Sequence, residues 1–251
     1  MCRHFAYLGP PVTVTSFLLD APHSLLDQAR DARLQDSGTS NPDGFGVGWY
    51  PVDAPGGAGP ERYRNAVPIW TDRELPELAA RTKATAMLAA VRLASPGAPI
   101  EVTGNAPFVA GPWLFSLNGV VHHYFDGVGA ELRTRVSPAR AAAIEGVTDS
   151  ELLFALALDR LDAGASPGEA LAATITAVTA LTTGKLNLLL TDGRRIAATA
   201  WSNSLFTDTR SAEGSTVVAS EPFDADPSWT RVPDRSLLEV DRRGACAVTA
   251  L

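Results

Sequence analysis

A cysteine stands at position two, in MCRHFAYLG, and its place in the chain is what gives it chemistry. Initiator methionine is commonly removed before a small residue, and removal would leave Cys2 with a thiol and a free α-amine on one residue. An α-amine titrates at ~7.7–8.0, so near neutrality part of the population can take a proton from the residue's own side chain. Nucleophile and base then come together. Position alone equally allows an incidental thiol in an edge strand, and on position alone that plainer reading is favoured.

The rest of the composition narrows the field. The chain has 251 residues, net charge -7 and two cysteines, Cys2 and Cys246. An acidic balance argues against electrostatic binding to nucleic acid or to an anionic membrane surface. Two cysteines supply neither a secreted disulfide framework nor a four-thiolate zinc site, which points to a reducing cytoplasm. No HExxH or paired CxxC occurs, so no metal is expected, and no cofactor. GFGVG opens an apolar run of strand character and lacks the dinucleotide spacing, while TGKL lacks the glycines and following hydroxyl of a phosphate loop. Pro10 and Pro11 interrupt the only apolar stretch near the start, so no signal peptide is read there, and no run reaches the ~20 apolar residues of a membrane span.

These residues need elements to hold them. CRHFAYLG reads as a strand that stops at Gly9-Pro10-Pro11. SLLDQARDARL spaces its apolar positions as an amphipathic helix with Ser24 as N-cap. FGVGWYPV and RYRNAVPIW read as hairpin strands joined by VDAPGGAGPE. A short helix near Glu74 to Arg81 precedes TAMLAAVRLAS, a buried strand with a polar tip. PWLFSLNGVV repeats that pattern, with Asn118 and Gly119 at a bend. Asp149 can cap SELLFALALDRL, and Pro167 suits the first turn of GEALAATITAVTALT. The remaining runs, from KLNLLLTD to ACAVTAL, alternate as hairpin strands, with Cys246 as a core thiol. Strands, helices, then strands imply two stacked sheets with helices outside.

Taken in order, CRHFAYLG, NPDGFGVGWY, VRLAS, SLNGVV, TDSE and VVASEPF span nearly the whole chain, and their set resembles the glutaminase domain of the class II glutamine amidotransferase family. Within that family the chain is most similar to the amidohydrolases of ergothioneine biosynthesis, which remove the γ-glutamyl group from γ-glutamyl-hercynylcysteine sulfoxide. The resemblance implies an α+β fold, a four-layer α/β/β/α sandwich of the N-terminal-nucleophile hydrolase type, with residues 1–251 as one domain. It puts the nucleophile at Cys2 and the oxyanion hole at the Asn118 side chain and the Gly119 N–H. Arg92 matches the arginine that grips the glutamyl α-carboxylate, Ser95 a hydroxyl beside it, and Asp149 the acid that receives the α-ammonium. A guanidinium suits the first task because its planar fork meets a carboxylate with two parallel hydrogen bonds.

Each of these residues also has an ordinary use. Asn-Gly is a common hairpin dipeptide, an arginine ending a strand is commonly solvated, and Asp149 can be a helix cap. His122 and His123 could face a pocket or the surface. Trp70, Trp113, Trp201 and Trp229 could wall a trimethylammonium group or simply fill the core. The chain departs from the family pattern at Leu117, at Asn105-Ala106-Pro107-Phe108 and near Asn41, where histidines and an arginine are common. Those departures bear on glutamine-specific loop closure and ammonia handling. A small-molecule γ-glutamyl substrate is expected, with no nucleic acid, no membrane and no obligatory protein partner. Two alternatives stay open, a glutaminase subunit feeding ammonia to a separate synthase and a non-enzymatic binding module on the same fold.

Overall fold

The computed structural model describes residues 2–36, 38–52, 59–209 and 214–251. In chain order the elements are β1 (Arg3–Thr13), α1 (Thr15–Leu18), α2 (Leu25–Arg30), β2 (Phe45–Pro51), β3 (Glu61–Asn65), α3 (Leu75–Arg81) and β4 (Lys83–Val91). There follow β5 (Phe108–Ala110), β6 (Trp113–Val121), α4 (Gly129–Arg133), α5 (Pro138–Ala142), α6 (Asp149–Asp162) and α7 (Pro167–Thr179). The last third is all strand: β7 (Gly184–Thr191), β8 (Arg195–Ala200), β9 (Phe206–Asp208), β10 (Thr216–Ala219), β11 (Thr230–Arg231), β12 (Ser236–Asp241) and β13 (Cys246–Ala250). They form two sheets, one ordered β11-β9-β10-β1-β4-β2-β3 and the other β13-β12-β8-β7-β6-β5.

Strand alternation sorts the core into three apolar layers. Phe5 and Tyr7 of β1, with Met87 and Ala89 of β4, face α1, α2 and α3. Ala6 and Leu8, with Ala86 and Leu88, turn the other way and meet Leu114, Leu189, Ile196 and Leu238 of the second sheet. Phe115, Leu117, Leu188 and Leu190 face α6 and α7. Three cores separate four layers of secondary structure, the α/β/β/α sandwich that the sequence implied. Capping boxes fix the helix starts at Ser24 with Asp27 and Ser166 with Glu169, satisfying N–H groups that a first turn otherwise leaves unpaired.

Several local expectations change. β1 does not stop at Gly9-Pro10-Pro11 but continues to Thr13, with its register against β4 shifting between Leu8 and Val12. β10 pairs with β1 only from Phe5 to Leu8, so the prolines fall at an edge, where a missing N–H is tolerated. Asn118 and Gly119 lie inside β6, paired with β7 through Val121, rather than at a bend. Thr148, not Asp149, is the N-cap of α6, its hydroxyl accepting from the Glu151 N–H. Cys246 is exposed on the outermost strand of its sheet, not a core thiol. β2 and β3 do pair as a hairpin, although the middle of their VDAPGGAGPE connection lies outside the described residues, as does Met1. α2, the helix expected over SLLDQARDARL, ends sooner than its pattern, at Arg30.

Candidate active site

Cys2 sits immediately before β1, half-buried, at one end of a cavity of about 360 Å³. Its backbone N–H donates to Asn118 Oδ1 at 3.2 Å, so the neighbouring sheet holds the nitrogen of the residue whose sulfur faces the cavity. Asn118 is wholly buried. Its Nδ2 donates to Ser220 Oγ at 3.1 Å, and its main-chain carbonyl accepts from Asn203 Nδ2 at 3.0 Å. Ser220 in turn accepts the His4 N–H and donates its own N–H to the His4 carbonyl. The side-chain amide is thus held between the two sheets by Cys2 and Ser220, while Asn203 holds the main chain of the same residue.

Gly119 must be glycine because a Cβ there would collide with the Lys185 carbonyl oxygen. The sheet register also sets where its N–H points. Leu186, opposite Gly119, gives its N–H to Trp201 in the direction away from β6. Gly119 therefore belongs to a pair that exchanges no hydrogen bond, and its N–H faces away from β7. Val121, two residues on and on the same side, gives its N–H to Asp149 Oδ2 at 2.9 Å. The β5 pairing ends at Phe115, which leaves the Gly119 side of the strand to the cavity it lines.

Arg92, Ser95 and Asp149 line the same cavity. Arg92 is buried, and Nη1 donates to the Pro99 carbonyl at 3.0 Å. The Asp43-Gly44 pair of NPDGFG braces it: the Asp43 N–H meets the Arg92 carbonyl, the Arg92 N–H meets the Gly44 carbonyl, and the Asp43 carboxylate takes the Ala94 N–H. Gly104 leaves room for the guanidinium, since a Cβ there would come within 2.9 Å of Nη1. Asp149 occupies the first turn of α6, where its carboxylate accepts the Val121 and Ser150 N–H groups. Burial pushes its pKa above the ordinary carboxylate value, against those hydrogen bonds and the Arg92 charge, which pull it down. A guanidinium, a carboxyl group and a thiol therefore share one cavity.

The far wall differs from the sequence expectation. None of Trp70, Trp113, Trp201 and Trp229 lines the cavity; Tyr124 and Phe125 do, in an edge-to-face pair with centroids 5.1 Å apart. Trp70 and Trp201 instead lie under Arg30 and Arg235. His122 and His123 are exposed on the cavity rim, with His122 Nδ1 2.9 Å from the Thr183 hydroxyl. Leu117 points into the helix-side core, and Asn41 is buried with Nδ2 on the Gln28 carbonyl. Asp43 braces the Arg92 segment in a way that the sequence expectation lacks, although NPDG is a recognisable turn signal. Among the described residues no cluster of metal-ligating side chains occurs, and no helix is long and apolar enough to cross a membrane.

Two facing sheets between helices, with a cysteine leading the first central strand into a cavity, define an N-terminal-nucleophile type of glutaminase fold. The chain belongs to the class II glutamine amidotransferases, whose family model matches residues 29–213. It is 41% identical over 256 residues to the gamma-glutamyl-hercynylcysteine sulfoxide hydrolase of Mycobacterium tuberculosis, covering 100% of this chain and 97% of that one. The protein of the same name from Mycolicibacterium smegmatis is 39% identical, with 96% of each chain covered. Among solved structures, a glutamine aminotransferase class-II domain protein from Silicibacter pomeroyi superposes with TM-score 0.69 at 26% identity over 99% of both chains. The glutamine phosphoribosylpyrophosphate amidotransferase of B. subtilis shares the fold at TM-score 0.66 and 15% identity, this chain spanning 49% of it.

Proposed function

We propose that this chain is an amidohydrolase that cleaves the γ-glutamyl amide of γ-glutamyl-hercynylcysteine sulfoxide, releasing glutamate and hercynylcysteine sulfoxide in ergothioneine biosynthesis. The observation that carries this is one cavity lined by Cys2, Gly119, Arg92, Ser95 and Asp149. Arg92 takes the α-carboxylate of the glutamyl head group, with Ser95 beside it, and Asp149 takes the α-ammonium. That places the γ-carbonyl at Cys2. Removal of Met1 frees the α-amine, which accepts the thiol proton as sulfur attacks the carbonyl carbon. The Gly119 N–H and the Asn118 Nδ2 hydrogen that is not given to Ser220 stabilise the oxyanion, and the amine returns the proton to the departing nitrogen. A γ-glutamyl thioester remains on Cys2. Water, deprotonated by the same amine, hydrolyses it to glutamate and free thiol.

Residues 1–251 act in this reading as one domain, because both sheets contribute to the same inter-sheet core and to the same cavity. The compartment is the cytoplasm, in keeping with two unpaired cysteines, and no protein partner is required for turnover. The substrate follows the names of the full-length relatives. A turnover assay tests it, comparing wild type with Cys2→Ala on γ-glutamyl-hercynylcysteine sulfoxide and on glutamine, with glutamate and ammonia both measured. The expected result is glutamate release from the sulfoxide substrate with little ammonia from glutamine, and loss of turnover on the order of 10⁶-fold in Cys2→Ala, the scale for removing a sole nucleophile. Retained activity in Cys2→Ala would overturn the mechanism; preference for glutamine would overturn the substrate and leave the fold untouched.

A further inference from the structure

On the side of Cys2 away from the cavity, three ionisable side chains are buried together. Arg3 is wholly buried beside the helix-side core. Its Nε donates to the Cys2 carbonyl at 2.7 Å, and its Nη1 donates to Glu221 Oε1 at 2.9 Å and, more loosely, to the Leu34 carbonyl at 3.4 Å. Glu221 is saturated: it also accepts the Arg33 N–H at 2.9 Å, the Leu34 N–H at 3.0 Å and His23 Nε2 at 3.0 Å. Burial raises the carboxyl's pKa, but the His23 and backbone hydrogen bonds and the Arg3 charge outweigh it and hold the group below its ordinary value. Arg3 Nη2 is buried with no partner among the described residues. The guanidinium sits where Nε and Nη1 are needed, at the expense of its remaining donor.

A buried ion pair is seldom worth more to stability than apolar side chains of similar volume, so stability alone gives this cluster no clear purpose. Geometry does. The two polar backbone groups of Cys2 are held from opposite sheets, the nitrogen by Asn118 and the carbonyl by Arg3. With both ends fixed, the Cα–Cβ bond of this cavity-lining residue is held to one direction.

We propose that Arg3, anchored by Glu221 and the Leu34 carbonyl, is a positioning residue for Cys2, fixing the nucleophile's backbone so that thiol and α-amine face the γ-carbonyl together. This rests on Cys2 being the nucleophile.

The test uses the full chain and two variants. Arg3→Lys keeps a cation beside Glu221 but offers one nitrogen where arginine gives separate donors to Cys2 and Glu221. Turnover of the γ-glutamyl substrate should fall roughly 10- to 100-fold, the scale for about 1 Å of misplacement, with KM unchanged. Alkylation of the Cys2 thiol by iodoacetamide should slow together with kcat. R3M/E221L removes both charges, should unfold no lower in temperature than wild type, and should show the same low kcat. A folded variant of either kind with wild-type kcat overturns the proposal, as does a rise in KM at constant kcat. If neither variant folds, the pair serves the fold and the proposal falls. Cys2→Ala, assayed in parallel, separates this from the mechanism itself: activity there would remove the nucleophile reading whatever Arg3 does.

Discussion

The layer between the two sheets has two ends that differ in kind. At one end Leu8, Ala86, Leu114, Ile196 and Val240 form apolar contacts with essentially no exposure. At the other, a few residues along the same strands, His4, Ser116, Asn118, Asn187 and Ser220 are equally buried. β1 runs from the polar end at His4 to the apolar end at Leu8, and β6 from Leu114 to Asn118, so each strand crosses the whole contrast. Buried polar groups stabilise little on balance and are costly when unpaired. The polar end repays that cost in geometry, since the His4–Ser116 and Asn118–Ser220 hydrogen bonds run from sheet to sheet and Asn118 also reaches Cys2.

The contrast predicts that substitutions at the two ends separate stability from activity. Leu114→Ala, at the apolar end, should lower unfolding stability by about 2–5 kcal/mol through lost burial and a residual cavity. Denaturant titration measures this, and kcat of the folded fraction should be unchanged. A fall in kcat comparable to that in stability would mean that the ends are not independent. Asn118→Ala, at the polar end, should cost on the order of 10²–10³ in kcat, the loss typical of one oxyanion donor. It also frees the Cys2 nitrogen. If kcat held while stability dropped, the amide would be a structural post and the oxyanion would have to be stabilised elsewhere.

How much of this contrast is legible in the sequence differs between fold and site. Alternation of apolar residues places the strands and their faces, and the ordered short motifs place Cys2, Arg92, Gly119 and Asp149, which the folded chain brings to one cavity. Local signals fail where a tertiary neighbour decides the outcome. Asn118-Gly119 carries a turn preference, yet β7 pairs with β6 across it and keeps it extended. The alternation around Cys246 is real, but β13 has a partner on one side only and lies exposed. An aspartate ahead of an apolar helical run has the chemistry of a cap; Thr148 does that work one residue earlier, which frees the Asp149 carboxylate for β6 and the cavity. Arg3 and Glu221 are invisible as a pair because 218 positions separate them.

The cavity wall offers a smaller effect. Asp149→Asn should raise KM roughly 10- to 100-fold, the value of a charge-assisted hydrogen bond to the ammonium, with less change in kcat. The wild-type pH profile carries the same information. The pKa of Asp149 is raised by burial, so the ionised form that binds an ammonium is lost, as pH falls, at a higher pH than for an ordinary carboxylate at about 3.9. KM should therefore begin to climb above that pH, and the climb should vanish in Asp149→Asn. A KM independent of pH down to ordinary carboxylate titration would remove Asp149 from the head-group site.

The smallest effect per unit of pH belongs to His4, and it isolates the cost of the polar end. Burial, with the Arg3 charge adding to it, pushes the imidazole down to about 3, and its Nδ1 lies 2.8 Å from the Ser116 hydroxyl. The unfolded chain titrates near 6.5, so at any pH between those values the unfolded state binds the extra proton. His4 thus leaves stability intact above pH ~6.5 and subtracts about 1.4 kcal/mol per pH unit as pH falls toward the folded value. Other groups titrate over the same range, so the measurement is a difference: unfolding free energy between pH 7 and pH 5 for wild type against His4→Gln. Glutamine can meet Ser116 without titrating, and the variant should lose less stability on acidification. Equal slopes would show that His4 takes up its proton in the folded state, and that the polar layer behind Cys2 is wetter than its packing indicates.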